Sequence, residues 1–537
     1  MIDSKGGDED RNGLEGKIPS VTDIKGRKPP KTYFLDTNLL LLNADCIFEF
    51  ANSPENEVII TDVNIKEIDQ NKRRPGEIGY QARQASRHLQ RLQKKGSLLE
   101  GVATREGGLV KVLSFSGNGK CVEEPPPLKF NVDLGQGDNQ QTVGVIKFAS
   151  QNPKMDIRFV TNDELLCLTM QINGIHAEPR KGMDPTNLNR GYCLVVDEQM
   201  RLYKKVLSTG GPRNPYQGSC LDVRKIGEDW VKFLVPNQYV IFVKPEMERI
   251  MRLDEDIDSS LKIPPQKHIY RFDALHRQLV PIKSSEKVEI YGIRPWNLEQ
   301  FLSFDLLQSD LPGVALVGKA GCGKTLIALA YALYKTIGRR KLLEHKKDDE
   351  SAEILKIMPP KIFIERRIVP VDQEEIGTLP GGLIKKQTLY YKAIEDNLKV
   401  LLCNSSALQK DLVYDKNKPF SLFGMLNMTD VLIEILPIGT ARGITVNENE
   451  ILSMEEAQNL TPSTVRTMGT RIGKGQVILN GDPTQVDNEK CYGYDGLTHF
   501  IHRIATVKDP RYFDCYGAIV FRHDKRSKFS AFAEKYL

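Results

Sequence analysis

Tryptophan appears only twice among the 537 residues, and the nine cysteines, at positions 46, 121, 167, 193, 220, 322, 403, 491 and 515, include no CxxC pair. An odd, dispersed set of thiols argues against a disulfide framework or a zinc site, and points to a reducing compartment. No apolar run approaches the roughly 18 residues a helix needs to cross a bilayer. The opening stretch MIDSKGGDEDRNG is polar and acidic, without the apolar segment of a signal peptide. The expectation is a cytoplasmic protein with no membrane partner. Charge of one sign is missing too: 75 basic and 70 acidic residues leave a net charge of +5. That balance excludes neither a nucleic-acid binder nor a metabolic enzyme, because basic patches can be local. No internal repeat is evident. What the chain has is length and apolar substance. Hydrophobic residues make up 40%, enough for several cores, and ordinary domain sizes imply about three domains.

Residues 1–30 are rich in Gly, Asp and Lys and read as a loose tail. From 31 to 180, short apolar runs alternate with amphipathic helices. Tyr33–Leu35, Val58–Ile60 and Ile157–Val160 read as strands; Asn64–Asn71, Gly79–Lys95 and Gln140–Ala149 read as helices. That alternation predicts an α/β domain with a parallel sheet. Residues 181–290 differ: the β-like runs Cys193–Val196, Trp230–Leu234 and Tyr239–Val243 are broken by Gly and Pro clusters such as Gly210–Pro215, as in a small β-rich connector. Strand–loop–helix alternation returns over 291–537.

The strongest local signal lies there. Val314-Ala-Leu-Val-Gly318-Lys-Ala-Gly321-Cys322-Gly323-Lys324-Thr325 follows a buried strand and opens an apolar helix, and it fits G-x-x-x-x-G-K-[ST]. Gly318, Gly321 and Gly323, with Cys322 between them, let the backbone turn tightly and aim its N–H groups at phosphate oxygens. The positive end of the next helix adds to that field. Lys324 is expected to reach the β- and γ-phosphates of ATP, and Thr325 to bind Mg²⁺. An acidic partner is available in Glu450-Ile-Leu-Ser-Met-Glu455-Glu456. Glu455 would hold the Mg²⁺ shell, and Glu456 would orient or deprotonate the attacking water. The run Gln476-Val-Ile-Leu-Asn-Gly481-Asp482-Pro-Thr-Gln485 ends in a polar cluster, where helicase-like motors sense the γ-phosphate through residues such as Asp482 and Gln485. Arg471 and Arg526 are candidates to neutralise charge in the transition state.

The first domain carries four acids at suggestive places. Asp36 ends the first strand, Glu67 sits in the helix after the second, Asp138 begins a helix, and Asp163 follows the strand ending at Val160. In a parallel α/β sheet the carboxyl ends of the strands share one edge, where ligands bind. Four unpaired carboxylates in one pocket repel and raise each other's pKa. A hard divalent cation, Mg²⁺ or Mn²⁺, removes the conflict and can activate water against a phosphodiester. Solvated acids and helix caps are the plainer reading, above all for Asp138. Lys72-Arg73-Arg74, with Arg83 and Arg87, could follow a phosphate backbone or form a solvated face.

Taken together, these residues resemble the PIN–PhoH proteins, in which a PIN ribonuclease domain precedes a PhoH-type, RecA-like P-loop ATPase. The PIN-like motifs are Leu35-Asp-Thr-Asn38, Ile65-Lys-Glu67-Ile-Asp, Gly76–Arg87, Asp138-Asn139 and Thr161-Asn-Asp163. The PhoH-like motifs are Gly292-Ile-Arg-Pro-Trp-Asn297-Leu-Glu-Gln300, Ile368-Val-Pro370, Ile376–Gly381, Glu456-Ala-Gln458-Asn-Leu-Thr-Pro462 and Gly481-Asp482-Pro-Thr-Gln485-Val-Asp487. The resemblance implies ATP- and Mg²⁺-dependent unwinding of RNA coupled to RNA cleavage, with Gln300 as an adenine contact. The class implies a homo-oligomer, a hexameric ring among its forms. The chain departs from the family in having Glu455 for the usual Asp, Cys322 for the usual Thr, and a more basic arm over 379–386. A motor whose first domain only binds RNA, a non-catalytic nucleotide-binding regulator and a DNA-directed enzyme stay open as alternatives.

Overall fold

The computed structural model describes residues 31–74, 76–115, 136–179, 188–196, 201, 204, 213–214, 218–225, 229–244, 263–282, 284, 287–346, 360–367, 391–412, 433–436, 443–448, 450–488 and 491–522. The expected tail over 1–30, the motif segments at 368–370 and 376–381, the basic arm over 379–386 and Arg526 lie outside the described residues. The chain divides into two compact units, Met1–Asn187 and Leu188–Leu537. Among the described residues no helix is long and apolar enough to cross a membrane.

The first unit is built on a six-stranded sheet. Its elements are β1 (Lys31–Leu35), α1 (Thr37–Leu42), α2 (Cys46–Phe50), β2 (Asn56–Thr61), α3 (Asp62–Asn71), α4 (Gly76–Gln93), β3 (Val102–Ala103), β4 (Leu109–Leu113), α5 (Gln136–Gln151), β5 (Asp156–Val160), α6 (Glu164–Ile172) and β6 (His176–Glu178). The strand order is β3-β4-β2-β1-β5-β6, parallel throughout except for the antiparallel pair of β3 with β4. A central strand must be apolar on both faces, and β1 is. Tyr33 and Leu35 enter one core with Val58, Ile60 and Val160, while Phe34 enters the opposite core with Ile59 and Phe159. β1 pairs with β2 on one side and β5 on the other, so the connections diverge from it. Such a switch point opens a crevice at the carboxyl ends of the strands.

The second unit holds two larger sheets. Five strands run in the order β10 (Leu221–Asp222), β13 (Gln278–Pro281), β12 (Ile269–Asp273), β11 (Tyr239–Val243), β7 (Tyr192–Val196), with β8 (Arg213–Asn214) and β9 (Gly218–Ser219) as a separate pair. The run Trp230–Leu234, expected as β-like, instead lies largely in a 3₁₀ turn, Asp229–Phe233. Val231 and Leu234, three residues apart, both pack on the sheet, while Phe233 is 69% exposed. That spacing suits three residues per turn and not the alternation of a strand.

The second sheet is fully parallel in the order β16 (Ile433–Ile435), β15 (Ile362–Arg366), β17 (Ile451–Glu455), β18 (Gln476–Gly481), β14 (Gly313–Gly318), β19 (Tyr516–Phe521). Its helices are α7 (Leu298–Leu307), α8 (Lys324–Lys346), α9 (Lys392–Asn404), α10 (Ser406–Asp411), α11 (Pro462–Gly469) and α12 (Gly496–Thr506). α7 is almost wholly buried, with apolar residues on more than one face and the polar Glu299, Ser303 and Asp305 buried among them, as expected of a helix with core on more than one side. Tyr192, Tyr239 and Ile241 of the β-rich sheet share one core with Phe301 and Phe304 of α7 and Val314, Leu316 and Ile519 of the parallel sheet. Gly191, at φ +77°, lets the chain enter β7 against β19, because a Cβ there would lie 1.8 Å from the carbonyl oxygen of Ala518.

Candidate acidic pocket and phosphate loop

The carboxyl edge of the first sheet gathers the four expected acids. Asp36 caps α1, accepting from the Asn38 amide at 3.3 Å, and its other oxygen accepts from the Thr161 hydroxyl at 2.7 Å. It is 1% exposed. Burial, and then the negative charges of Asp138 and Glu67, push its carboxyl up from 3.8 to about 6 against those two donors. Asp138 is raised as well, by burial and then by Glu67 and Asp163. The four acids therefore feel one another across a single edge. Asp138 is the third residue of α5, inside the first turn. Asp163 caps α6, accepting from the Leu166 amide at 2.9 Å. Asn64 and Gln141 both donate to the Leu35 carbonyl, at 3.1 and 3.0 Å, and fix the backbone that presents Asp36. Their role depends on contacts between distant segments, so sequence spacing gave no sign of it.

Among the described residues, no three Asp, Glu, His or Cys side chains are drawn together as a finished metal cage. Like charges repel, which is reason enough for the acids to stand apart. The donor set itself, all hard carboxylate oxygen with one buried member, fits Mg²⁺ or Mn²⁺.

The phosphate loop is assembled more completely. Gly321 and Gly323 adopt φ of +88° and +91°, a region that L side chains resist. The Lys324 ammonium donates to the carbonyls of Gly318 and Lys319, the latter at 2.8 Å, and lies 3.6 Å from the Cys322 sulfur. Burial raises the Cys322 thiol, partly offset by Lys324. Gln300, expected as an adenine contact, uses both ends of its amide locally. It accepts from the Trp296 amide at 2.8 Å and donates to the Cys322 carbonyl at 3.0 Å, and so braces the loop.

Glu455 ends β17 and is 5% exposed. It accepts from Thr325 at 3.0 Å, Ser453 at 2.7 Å and Asn480 at 2.9 Å. The side chain, one methylene longer than the usual Asp, thus reaches Thr325 directly. Hard oxygens from a threonine and a buried acid fit the water shell of Mg²⁺ beside a bound nucleotide. Glu456 follows in a left-handed conformation, φ 52° and ψ 45°, a strain that clusters at functional sites. It is paired with Arg366 at 3.6 Å and accepts from Gln458 at 2.7 Å. The same Gln458 amide donates to the Gln485 carbonyl at 2.9 Å and accepts from the Asp482 amide at 3.0 Å. One side chain thus joins Glu456 to the polar cluster at the end of β18.

Two acids and an arginine complete the picture. Asp482 accepts from Thr484, while its second oxygen is buried without a partner. Glu365, near the end of β15, is fully buried, and neither of its oxygens has a hydrogen-bond partner. Burial, with a smaller push from Glu455 and against Arg367, raises its carboxyl from 4.5 to about 8. Neither Glu365 nor Arg366 was marked by any motif. Arg471 is not brought to the phosphate loop of its own chain. It lies between α11 and β18, at the amino end of β18, whereas the loop leaves the carboxyl end of parallel β14. Six residues of strand, about 20 Å at 3.3 Å each, separate the two edges.

Comparison with known proteins places both halves in known families. Residues 33–181 match the PIN domain family, and residues 350–534 match the family described as PhoH-like protein. A Bacillus subtilis protein called PhoH2 is 29% identical over 485 residues, covering 88% of this chain and 93% of that protein. A Thermobispora bispora PhoH2 is 25% identical over 515 residues, covering 94% and 96%. The Escherichia coli K12 protein PhoH is 32% identical over 375 residues, covering 68% of this chain and 89% of the relative. The two domain matches suggest a nuclease and an ATPase. With the first at its N-terminal end and the second at its C-terminal end, this chain belongs to the PhoH family as a PIN–PhoH fusion.

Proposed function

We propose that this protein is a cytoplasmic enzyme that unwinds RNA at the expense of ATP and cleaves it with its N-terminal acidic pocket. We divide it into a nuclease domain over 31–180, a β-rich connector over 181–290 and an ATPase domain over 291–537. The observation that carries the cutting half is the buried Asp36 at the switch point of the first sheet, raised to about 6 by burial and by the charges of Asp138 and Glu67, with Asp163 acting in turn on Asp138. These four residues would hold Mg²⁺ or Mn²⁺. When bound, such a cation supplies an acidified water and a counter-charge for the departing oxygen. Thr161 and the Asn38 amide keep Asp36 aimed. Lys72, Arg73, Arg74, Arg83 and Arg87 offer positive charge to an RNA backbone.

In the second pocket, Gly318, Gly321, Cys322, Gly323 and Lys324 would cradle the phosphates of ATP, and Lys324 would exchange the loop carbonyls for phosphate oxygens. Thr325 and Glu455 would hold Mg²⁺, which supplies charge neutralisation when bound. Glu456 orients the attacking water, and Arg366 limits where that carboxylate can swing. Gln458 relays its position to Asp482 and Gln485. Gln300 supports the loop, and any adenine contact would require its amide to leave the Cys322 carbonyl. In a homo-oligomer, a hexameric ring among its forms, Arg471 and Arg526 are offered as charge donors to a neighbouring copy.

The test is incubation of labelled single-stranded RNA and DNA with the protein, with and without ATP and with Mg²⁺ or Mn²⁺. RNA cleavage that Asp36→Asn abolishes while ATP turnover survives supports the reading. Cleavage unchanged in Asp36→Asn sinks it, and DNA cut in preference to RNA sinks its substrate class.

A further inference from the structure

Two carboxylates lie in the core around α7: Glu299 is 0% exposed and Asp305 is 5% exposed. Acids buried this deeply cost free energy unless donors meet them. Tyrosines of the β-rich sheet do so. The Tyr192 hydroxyl donates to Glu299 at 3.1 Å, and the Tyr239 hydroxyl donates to Asp305 at 2.8 Å. Tyr192 and Tyr239 are register partners on β7 and β11, so both rings leave the same face of the sheet. The two acids are six residues apart, about 9 Å along the helix at 1.5 Å per residue. Burial raises both phenols, so each remains a donor at ordinary pH.

The two bonds are chemically alike but differ in what stands behind them. The second oxygen of Asp305 accepts from the Ser284 amide at 3.0 Å, three residues past β13 of the β-rich sheet. The second oxygen of Glu299 accepts from the Arg522 amide at 3.0 Å, just past β19. Phe521, the last residue of that strand, is the register partner of Gly318, where the phosphate loop begins. The neighbour of Glu299 on α7, Gln300, donates to the Cys322 carbonyl inside the loop. Glu299 therefore meets the loop from two directions, through the end of β19 and through the first turn of α7.

We propose that Tyr192 is a positioning residue for the nucleotide: through Glu299 it holds α7 and the end of β19 against the phosphate loop, making the β-rich sheet a working part of the ATP site. The inference rests on the ATP-binding reading and deepens it. The sheet's own chemistry toward ligands is not required; its part is to fix the frame in which Gln300 and Gly318 sit. A shift at that frame moves the loop that must match the phosphates, and small misplacements of this kind weaken binding or slow catalysis.

Tyr192→Phe and Tyr239→Phe form a matched pair. Each keeps its ring, deletes one hydroxyl and leaves one buried carboxylate oxygen without that donor, so both lower the Tm of the second unit by similar amounts. The deciding measurement is the Kd of the full-length protein for a fluorescent ATP analogue with Mg²⁺. Tyr192→Phe should weaken binding about fivefold, within the range of one lost hydrogen bond, while Tyr239→Phe stays within about twofold. Glu299→Gln, which keeps one carbonyl acceptor, should follow Tyr192→Phe and provides the answer if that variant does not fold. Equal weakening by the two tyrosine variants, or none by Tyr192→Phe and Glu299→Gln, overturns the proposal. Wild-type binding that Lys324→Ala removes secures the underlying reading. Absence of wild-type binding overturns that reading and the inference with it, before any tyrosine variant is compared.

Discussion

Asp36 directly follows a strand and Glu455 ends one, both at a carboxyl edge and both almost fully buried, yet their surroundings are opposite. Glu455 accepts from three side chains, Thr325, Ser453 and Asn480. Asp36 accepts from one hydroxyl and one amide and faces the charges of Glu67 and Asp138. Hydrogen bonds hold the nucleotide pocket in shape before anything binds. In the acidic pocket the carboxylates face one another with few donors between them, and on the proposed reading a cation would complete its geometry. If both pockets take a divalent ion as proposed, they differ in what assembles them: donors built into the fold in one case, the ion's own charge in the other.

Separate knockouts break the comparison most strongly. Asp36→Asn should slow RNA cleavage by about a thousandfold, the scale of losing a first ligand to a catalytic ion, with ATP turnover unchanged in a phosphate-release assay. Lys324→Ala should do the reverse to ATP turnover, by a similar factor of about a thousand. Loss of both activities in either variant would mean that the pockets are not independent.

Glu365 sharpens the comparison from within, because it is the acid in the nucleotide half that resembles Asp36. Its folded pKa of about 8 lies above the ordinary 4.5, so it destabilises the fold as pH rises past 4.5, reaching its full cost above about 8. Glu365→Gln mimics the protonated acid. It should stabilise the second unit at pH 7 by roughly 3 kcal/mol, at about 1.4 kcal/mol per pH unit. Chemical denaturation at pH 5 and pH 7 checks this; a gain no larger at pH 7 than at pH 5 would contradict it.

The same sign applies to Asp36 over a lower window. Its carboxyl is raised from 3.8 to about 6, so without divalent ions the first unit loses stability between those values, by about 2–3 kcal/mol. In EDTA its melting should be higher at pH 5 than at pH 7.5. Mn²⁺ should reverse the order, since the ion needs the ionised acid. Asp36→Asn should flatten the EDTA slope. The smallest effect belongs to Gln458→Ala, which cuts the link between Glu456 and the end of β18. About a tenfold fall in kcat for ATP at unchanged KM is expected, read from steady-state turnover.

The phosphate loop and Asp36 were legible in the sequence because their chemistry is written in adjacent residues: glycines before Lys324, and an acid at the end of an apolar run. The parallel sheet around Asp36 was legible for a related reason, since strands such as Val58–Ile60 and Ile157–Val160 are short apolar runs set between helical stretches. Other features depend on register between distant segments. The Arg366–Glu456 pair joins the end of β15 to the residue after β17, 90 positions along the chain. The tyrosine–carboxylate bonds on α7 join residues 107 and 66 positions apart. Trp230–Leu234 reads as β-like in the sequence, yet lies largely in the 3₁₀ turn Asp229–Phe233, because a five-residue run carries no period long enough to separate the two.

The most direct test is a count of bound Mn²⁺ by paramagnetic resonance on the wild type, Asp36→Asn and Lys324→Ala, each with and without a non-hydrolysable ATP analogue. Two classes of site are predicted: one independent of nucleotide and lost in Asp36→Asn, the other appearing only with nucleotide and lost in Lys324→Ala. A single class removed by both variants, or a nucleotide-independent class that survives Asp36→Asn, would contradict it.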